Sequence, residues 1–163
     1  MNFKVLLGFF GAIALSTSAT AFASNMAYSQ SYRAEYTLDT ISDTGQVYYS
    51  CSSVEDTTGS VLEKLGAEDI HVSCTGGLDP YTNFSGPAEV TAEFVAPSMV
   101  KNASVPRAAS IHQIKLQTFD GCDFMTKTIQ GLSSEIDLNV ISGPGSCNGS
   151  LSADFLVQVL AFD

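Results

Sequence analysis

Between Gln46 and Cys51 apolar and polar residues alternate, so Val47, Tyr49 and Cys51 share one face, the two-residue period of a strand. The period then lengthens. Val54, Thr58, Val61, Leu62 and Leu65 recur at helical spacing, Ser52-Ser53-Val54-Glu55 matches a capping box, and Gly66 stands where a helix stops. Gly59 and two threonines weaken that helix, so it depends on packing. Asp69 to Cys74 reads as a strand with Ile70 and Val72 inward. After the turn-rich stretch 75–87, Ala88, Val90, Ala92 and Phe94 alternate with Glu89, Thr91 and Glu93, a half-exposed strand.

The second half repeats this order. Ser110 to Phe119 is a strand and Cys122 follows it, as Cys51 follows the first. Met125, Ile129 and Leu132 mark a short helix that Asp120 or Asp123 can cap, and Asp137-Leu138-Asn139-Val140 echoes Asp69-Ile70-His71-Val72. Ser142 to Ser146 is a turn, and Leu151 to Phe162 closes with Leu151, Ala153, Phe155, Val157 and Val159 on one strand face. From cysteine to helix-ending leucine the spacing is 14 residues in the first half and 10 in the second; the difference of four is close to one helical turn.

These elements predict an α+β class: a single domain over 45–163 containing a duplicated β-α-β-β unit, with a mixed sheet, two helices on one face and the other face partly solvated. The half-units fall at about 45–96 and 110–163, joined by the Pro97–Ala109 connection, and each is too small to be stable alone.

Ahead of this domain, residues 1–23 have the three parts of a signal peptide: Lys4, the apolar run Val5–Leu15, and the small-residue site Ala21-Phe22-Ala23. The reading is a cleaved leader and a periplasmic or secreted protein without a stable membrane anchor. Residues 24–44 read as a polar N-terminal arm. Tyr28, Tyr32 and Tyr36 are spaced by four there, while Tyr32, Ala34, Tyr36 and Leu38 also fit a strand face. The arm is therefore either an adhesive segment presenting tyrosines or an extra edge strand.

The four cysteines change the picture most. Three pairings exist, and the crossover order favours Cys51–Cys74 and Cys122–Cys147, because in each half both cysteines arrive at one end of the β-α-β unit. No C-x2-4-C pair supports a zinc site or a redox dithiol. The formal net charge is −10, and losing Lys4 with the leader removes one further positive charge, which disfavours nucleic acid and anionic lipid as partners. Asn-x-Ser triplets at Asn83, Asn102 and Asn148 matter only in a host that glycosylates exported proteins.

Catalytic and cofactor chemistry finds little purchase. His71 lies on the strand face opposite Ile70 and Val72, and His112 shares a face with Ile114 and Leu116 at the core edge. No G-x-S-x-G, phosphate loop, dinucleotide fingerprint or calcium-loop spacing occurs, and Asp39, Asp43 and Gly45 miss the last of these. Thr75-Gly76-Gly77-Leu78-Asp79-Pro80 reads as the most pronounced loop, with Gly76, Gly77 and Asp79 as candidate binding residues beside Tyr28, Tyr32 and Tyr36. The sequence thus predicts a non-catalytic exported protein that binds a protein or small ligand, needing no cofactor or metal. Two alternatives stand beside it: a small envelope hydrolase using a histidine near Gly76-Gly77, and an inhibitor or immunity-type protein with a basic target.

Overall fold

Gln30, Tyr32, Ala34, Tyr36 and Leu38 alternate with exposed residues along a strand, β1 (Asn25–Leu38), which lies in the middle of the sheet rather than in a polar arm or at an edge. The computed structural model of the chain describes residues 25–38, 41–42, 45–46, 48–79, 81–82, 84–118, 121–144, 147 and 152–163. The leader, Asp39, Asp43, Asn83 and Asn148 lie outside the described residues. After β1 come a two-residue ladder, β2 (Ile41–Ser42) with β3 (Gly45–Gln46), then α1 (Cys51–Lys64), β4 (Glu68–Asp79) and β5 (Phe84–Ser98). The second half runs β6 (Arg107–Thr118), α2 (Cys122–Ser133), β7 (Leu138–Ser142) and β8 (Ala153–Phe162).

Six strands form one sheet in the order β4-β5-β1-β6-β8-β7. Every neighbouring pair in it is antiparallel, which corrects the expected mixed sheet. The reason is topological. In each half the helix carries the chain to a strand parallel to the first, as a β-α-β crossover must, but the last strand inserts between the two. Both halves place these strands alike, β4-β5-β1 and β7-β8-β6.

The halves meet through a short ladder. Among the described residues β1 pairs with β6 at Asn25–Ala27 opposite Ala109–Arg107, and from there the two strands run in opposite directions. Other contacts brace the join. Gly66, at φ +80, closes α1 with hydrogen bonds from Gly66 N to Glu63 O and from Ala67 N to Leu62 O, both 3.0 Å, and its Cα sits against Ala161 of β8. Arg107 donates to both carboxylate oxygens of Glu68, at 2.7 and 2.9 Å, and lies 3.8 Å above the Phe162 ring.

One core serves both helices. Val61, Leu62 and Leu65 from the α1 end meet Met125, Ile129 and Leu132 of α2 above Ala34, Ala92, Phe94, Leu116, Phe155 and Val157 of the sheet. The helical spacing in the sequence therefore marks the buried stripe on both helices. Where the helices start is different from the expectation. Cys51 opens a helix instead of ending a strand, Cys122 follows β6 as expected and opens α2, and Ser50, not Ser52, caps α1 by accepting from Ser53 N at 3.3 Å. Glu55, the expected capping-box glutamate, turns instead to accept from Cys74 N at 2.9 Å, tying α1 to β4.

Candidate functional site: an open strand edge beside an apolar hollow

The two disulfides join Cys51 to Cys74 and Cys122 to Cys147, with Cα separations of 5.2 and 5.3 Å. Each pins the first residue of a helix to the strand after it or to the segment just beyond that strand, so they fasten corresponding points of the two halves. Reading Cys51 as a strand end was wrong about the element and right about the partner.

The other sequence candidates are dispersed. Gly76 and Gly77 form a bulge within β4, not a loop: both have positive φ, and the register with β5 shifts between Gly76 and Leu78. A Cβ on Gly76 would lie 2.4 Å from Pro87 O, and one on Gly77 2.5 Å from Tyr49 O. These glycines admit close neighbouring backbone. Asp79 accepts from Tyr81 N and from the Thr82 hydroxyl, which holds its pKa below the usual aspartate value, the hydroxyl bond first and the backbone bond second. Tyr28, Tyr32 and Tyr36 are half-buried in β1, and Tyr32 and Tyr36 pack against the buried clusters. Tyr32 stacks on Phe94 at 5.8 Å, and Tyr36 Oη lies 2.9 Å from Thr58 Oγ1.

Neither histidine stands beside the two glycines, so the arrangement that the hydrolase alternative requires is not assembled. His71 is on the open face in a cross-strand row with Glu93 and Arg33. Arg33 there bridges Glu35 at 2.7 Å and Glu93 at 2.9 Å. His112 belongs to the other half, where Ser110, His112 and Asp163 come together. Ser110 Oγ is hydrogen-bonded to Asp163 and lies 2.9 Å from His112 Nε2, while the histidine is 3.9 Å from the carboxylate. The order is wrong for a nucleophile triad. The serine stands between the other two and gives its proton to the carboxylate, so the histidine is not placed to take that proton. The group is also open to water.

What the structure does assemble lies at the meeting of the halves. Met26, Met99 and Ile111 are 55, 59 and 53% exposed, and Val100 and Val105 of the connection are exposed as well. Beside them a hollow of about 180 Å³ is lined by Asn25, Met99, Ile111, Asp137, Asn139, Gln158, Val159 and Leu160. A larger depression of about 530 Å³ lies near Gln117, Ser142, Pro144 and Asp154, but small and polar residues dominate its walls. The smaller hollow has the lining of a recognition site: apolar side chains with amides and one carboxylate at the rim.

The hollow borders an unusual strand edge. Unpaired edges invite foreign strands, and proteins blunt them with bulges, charges, short length or a cover. β4 carries two register shifts, at Glu68/His71 and Gly76/Leu78. β7 has five residues and a shift of its own. Past Ala27, β1 is capped by Asn102, whose Nδ2 donates to Ser29 O at 2.9 Å, and α2 lies against it. From Ser110 to Gln117 β6 has fewer such devices among the described residues: its register with β8 is unbroken, it holds no Pro or Gly, it has no ladder partner on the side away from β8, and α1 approaches only its Gln117 end. Its one charge, Lys115, is 2.9 Å from Asp154, and that contact, followed by a bond from Gln117, lowers the aspartate pKa.

Met99, Val100 and Val105 were legible as apolar residues inside a predicted connection. The open edge was not, because it arises from the short overlap of β1 and β6. Among the described residues no group of three or more His, Cys, Asp or Glu is placed to hold a metal ion, and no helix is long and apolar enough to cross a membrane. Compared with known proteins, the chain matches no family model, no curated protein and no solved structure.

Proposed function

We propose that the protein is an exported, non-catalytic binding module that recognises another protein at the junction of its two halves. The observation that carries this is the exposed apolar pair Met99 and Ile111 in a small hollow beside an open strand edge. Export is supported by the leader pattern of residues 1–23 and by two disulfides, which persist in oxidising compartments. A protein fits better than a small ligand, since drug-sized ligands occupy pockets of roughly 300–1,000 Å³ and this hollow is about 180 Å³. The shared order of the halves, with a disulfide at matching points, supports reading them as a duplicated β-α-β-β unit.

The test is affinity capture from envelope and culture fluid with oxidised residues 24–163, run beside the Met99→Asp/Ile111→Asp double variant. The reading expects a stoichiometric protein that the wild type retains and the double variant loses, with His71→Ala and His112→Ala retaining it. Capture that survives the double variant places the binding surface elsewhere. A histidine-dependent turnover of substrate would return the chain to the enzymes.

A further inference from the structure

We infer that the partner docks as an added strand on β6, through an extended segment that carries an apolar side chain for the hollow and a lysine or arginine for its acidic rim. The inference rests on the binding-module reading and says how the partner docks.

The register defines the place. The described part of β1 occupies the ladder positions opposite Arg107 to Ala109, with Asn25 opposite Ala109, and the next positions, opposite Ser110 to Gln117, continue the same line without an occupant among the described residues. Eight positions are enough for a strand of ordinary length. In an antiparallel ladder alternate residues direct N–H and C=O to one neighbour, so about half of the main-chain groups of this run point away from β8. Main-chain bonds to them supply affinity, and side chains on alternate positions supply selectivity.

The hollow is one step along that line. Asn25, which forms part of its wall, pairs with Ala109, and Ile111, the next residue of β6 on the same face, lies across from Leu160. A docked residue opposite Ile111 therefore stands at the mouth of the hollow, beside Ile111 and in line with Asn25, with Leu160 one strand further in. An apolar side chain there removes those surfaces from water.

Charge selects the partner. Arg107 is held by Glu68 and Lys115 by Asp154, while Asp137 lines the hollow on its β7 side and Asp163 lies near Ser110. On a chain of net charge −10, these favour a cationic segment and work against a second copy, which would bring the same excess to the contact.

The experiment uses oxidised residues 24–163 and a short synthetic peptide of alternating valine and threonine with a lysine at each end, read by amide hydrogen exchange along β6. Binding should slow exchange at alternate residues between Ser110 and Gln117 and weaken with added salt. A glutamate-ended peptide should bind about tenfold or more weakly. Ile111→Asp should abolish binding while leaving the unfolding midpoint unchanged, since this side chain is half-exposed. No binding of the lysine peptide overturns strand docking. Binding that protects other amides and not β6 overturns it too, yet leaves the module reading standing. Concentration-dependent protection of β6 without peptide would give the edge to a second copy, and the inference would fall.

Discussion

Tyr36 and Gly131 show how narrowly single residues set the distance between sheet and helices. A Cβ on Gly131 would lie 2.6 Å from the Tyr36 ring, so this glycine lets α2 settle onto β1. Gly59 of α1 has nothing within 4 Å of the same added atom. Alanine is the better helix former by about 1 kcal/mol, so Gly59→Ala should stabilise the fold by up to that amount. Gly131→Ala should instead destabilise it by about 1–3 kcal/mol through overpacking; denaturant unfolding of the two variants measures the contrast. The Tyr36 phenol has its own signature. Burial pushes its pKa up, and the Thr58 and Thr128 hydroxyls pull it back only in part. Its folded pKa is above the unfolded value, so the stability it confers is whole below pH of about 10 and declines as pH rises beyond that through the folded pKa. Tyr36→Phe should flatten the alkaline fall in a series of unfolding curves. It should also cost about 1–2 kcal/mol at neutral pH by stranding the Thr58 hydroxyl. Tyr49, raised by burial and then by the charge of Asp123, titrates with the same sign and keeps the slope from vanishing.

At the scale of elements the disulfides make the plainest prediction. Each closes a loop of 23 or 25 residues in sequence, and removing either by Cys→Ser pairs should lower stability by about 3 kcal/mol. Peptide mapping of the oxidised protein should return only Cys51–Cys74 and Cys122–Cys147. Both helices, both cysteine pairs and the long alternating strands were legible because periodicity and spacing are local. The buried face of β5 followed from Ala88, Val90, Ala92 and Phe94, and the stop of α1 from Gly66. Less legible was anything decided between elements. Residues 25–38 read as an arm because Ser, Arg and Glu alternate with tyrosines, and only the buried clusters show that Tyr32 and Tyr36 pack inward. Gly76 and Gly77 carry the composition of a loop, but the backbone of Tyr49 and Pro87 explains them as a bulge.

The molecule is two similar three-stranded halves that share buried apolar clusters and, among the described residues, three rungs of ladder. That geometry leaves β6 open where a longer overlap would have covered it, and Met99 of the connection lines the hollow beside it. The candidate site is therefore a product of assembly, and the sequence shows only its ingredients, Ile111 and Met99. Its basis can be tested without any partner, by native-state amide exchange on oxidised, monomeric residues 24–163. Leu156 to Val159 of β8, paired on both sides, should exchange slowly at every residue, while β6 from Ser110 to Gln117 should alternate between slow and fast. Uniform protection along β6 in the monomer would mean that the edge is already covered, and the docking account would be contradicted at its root.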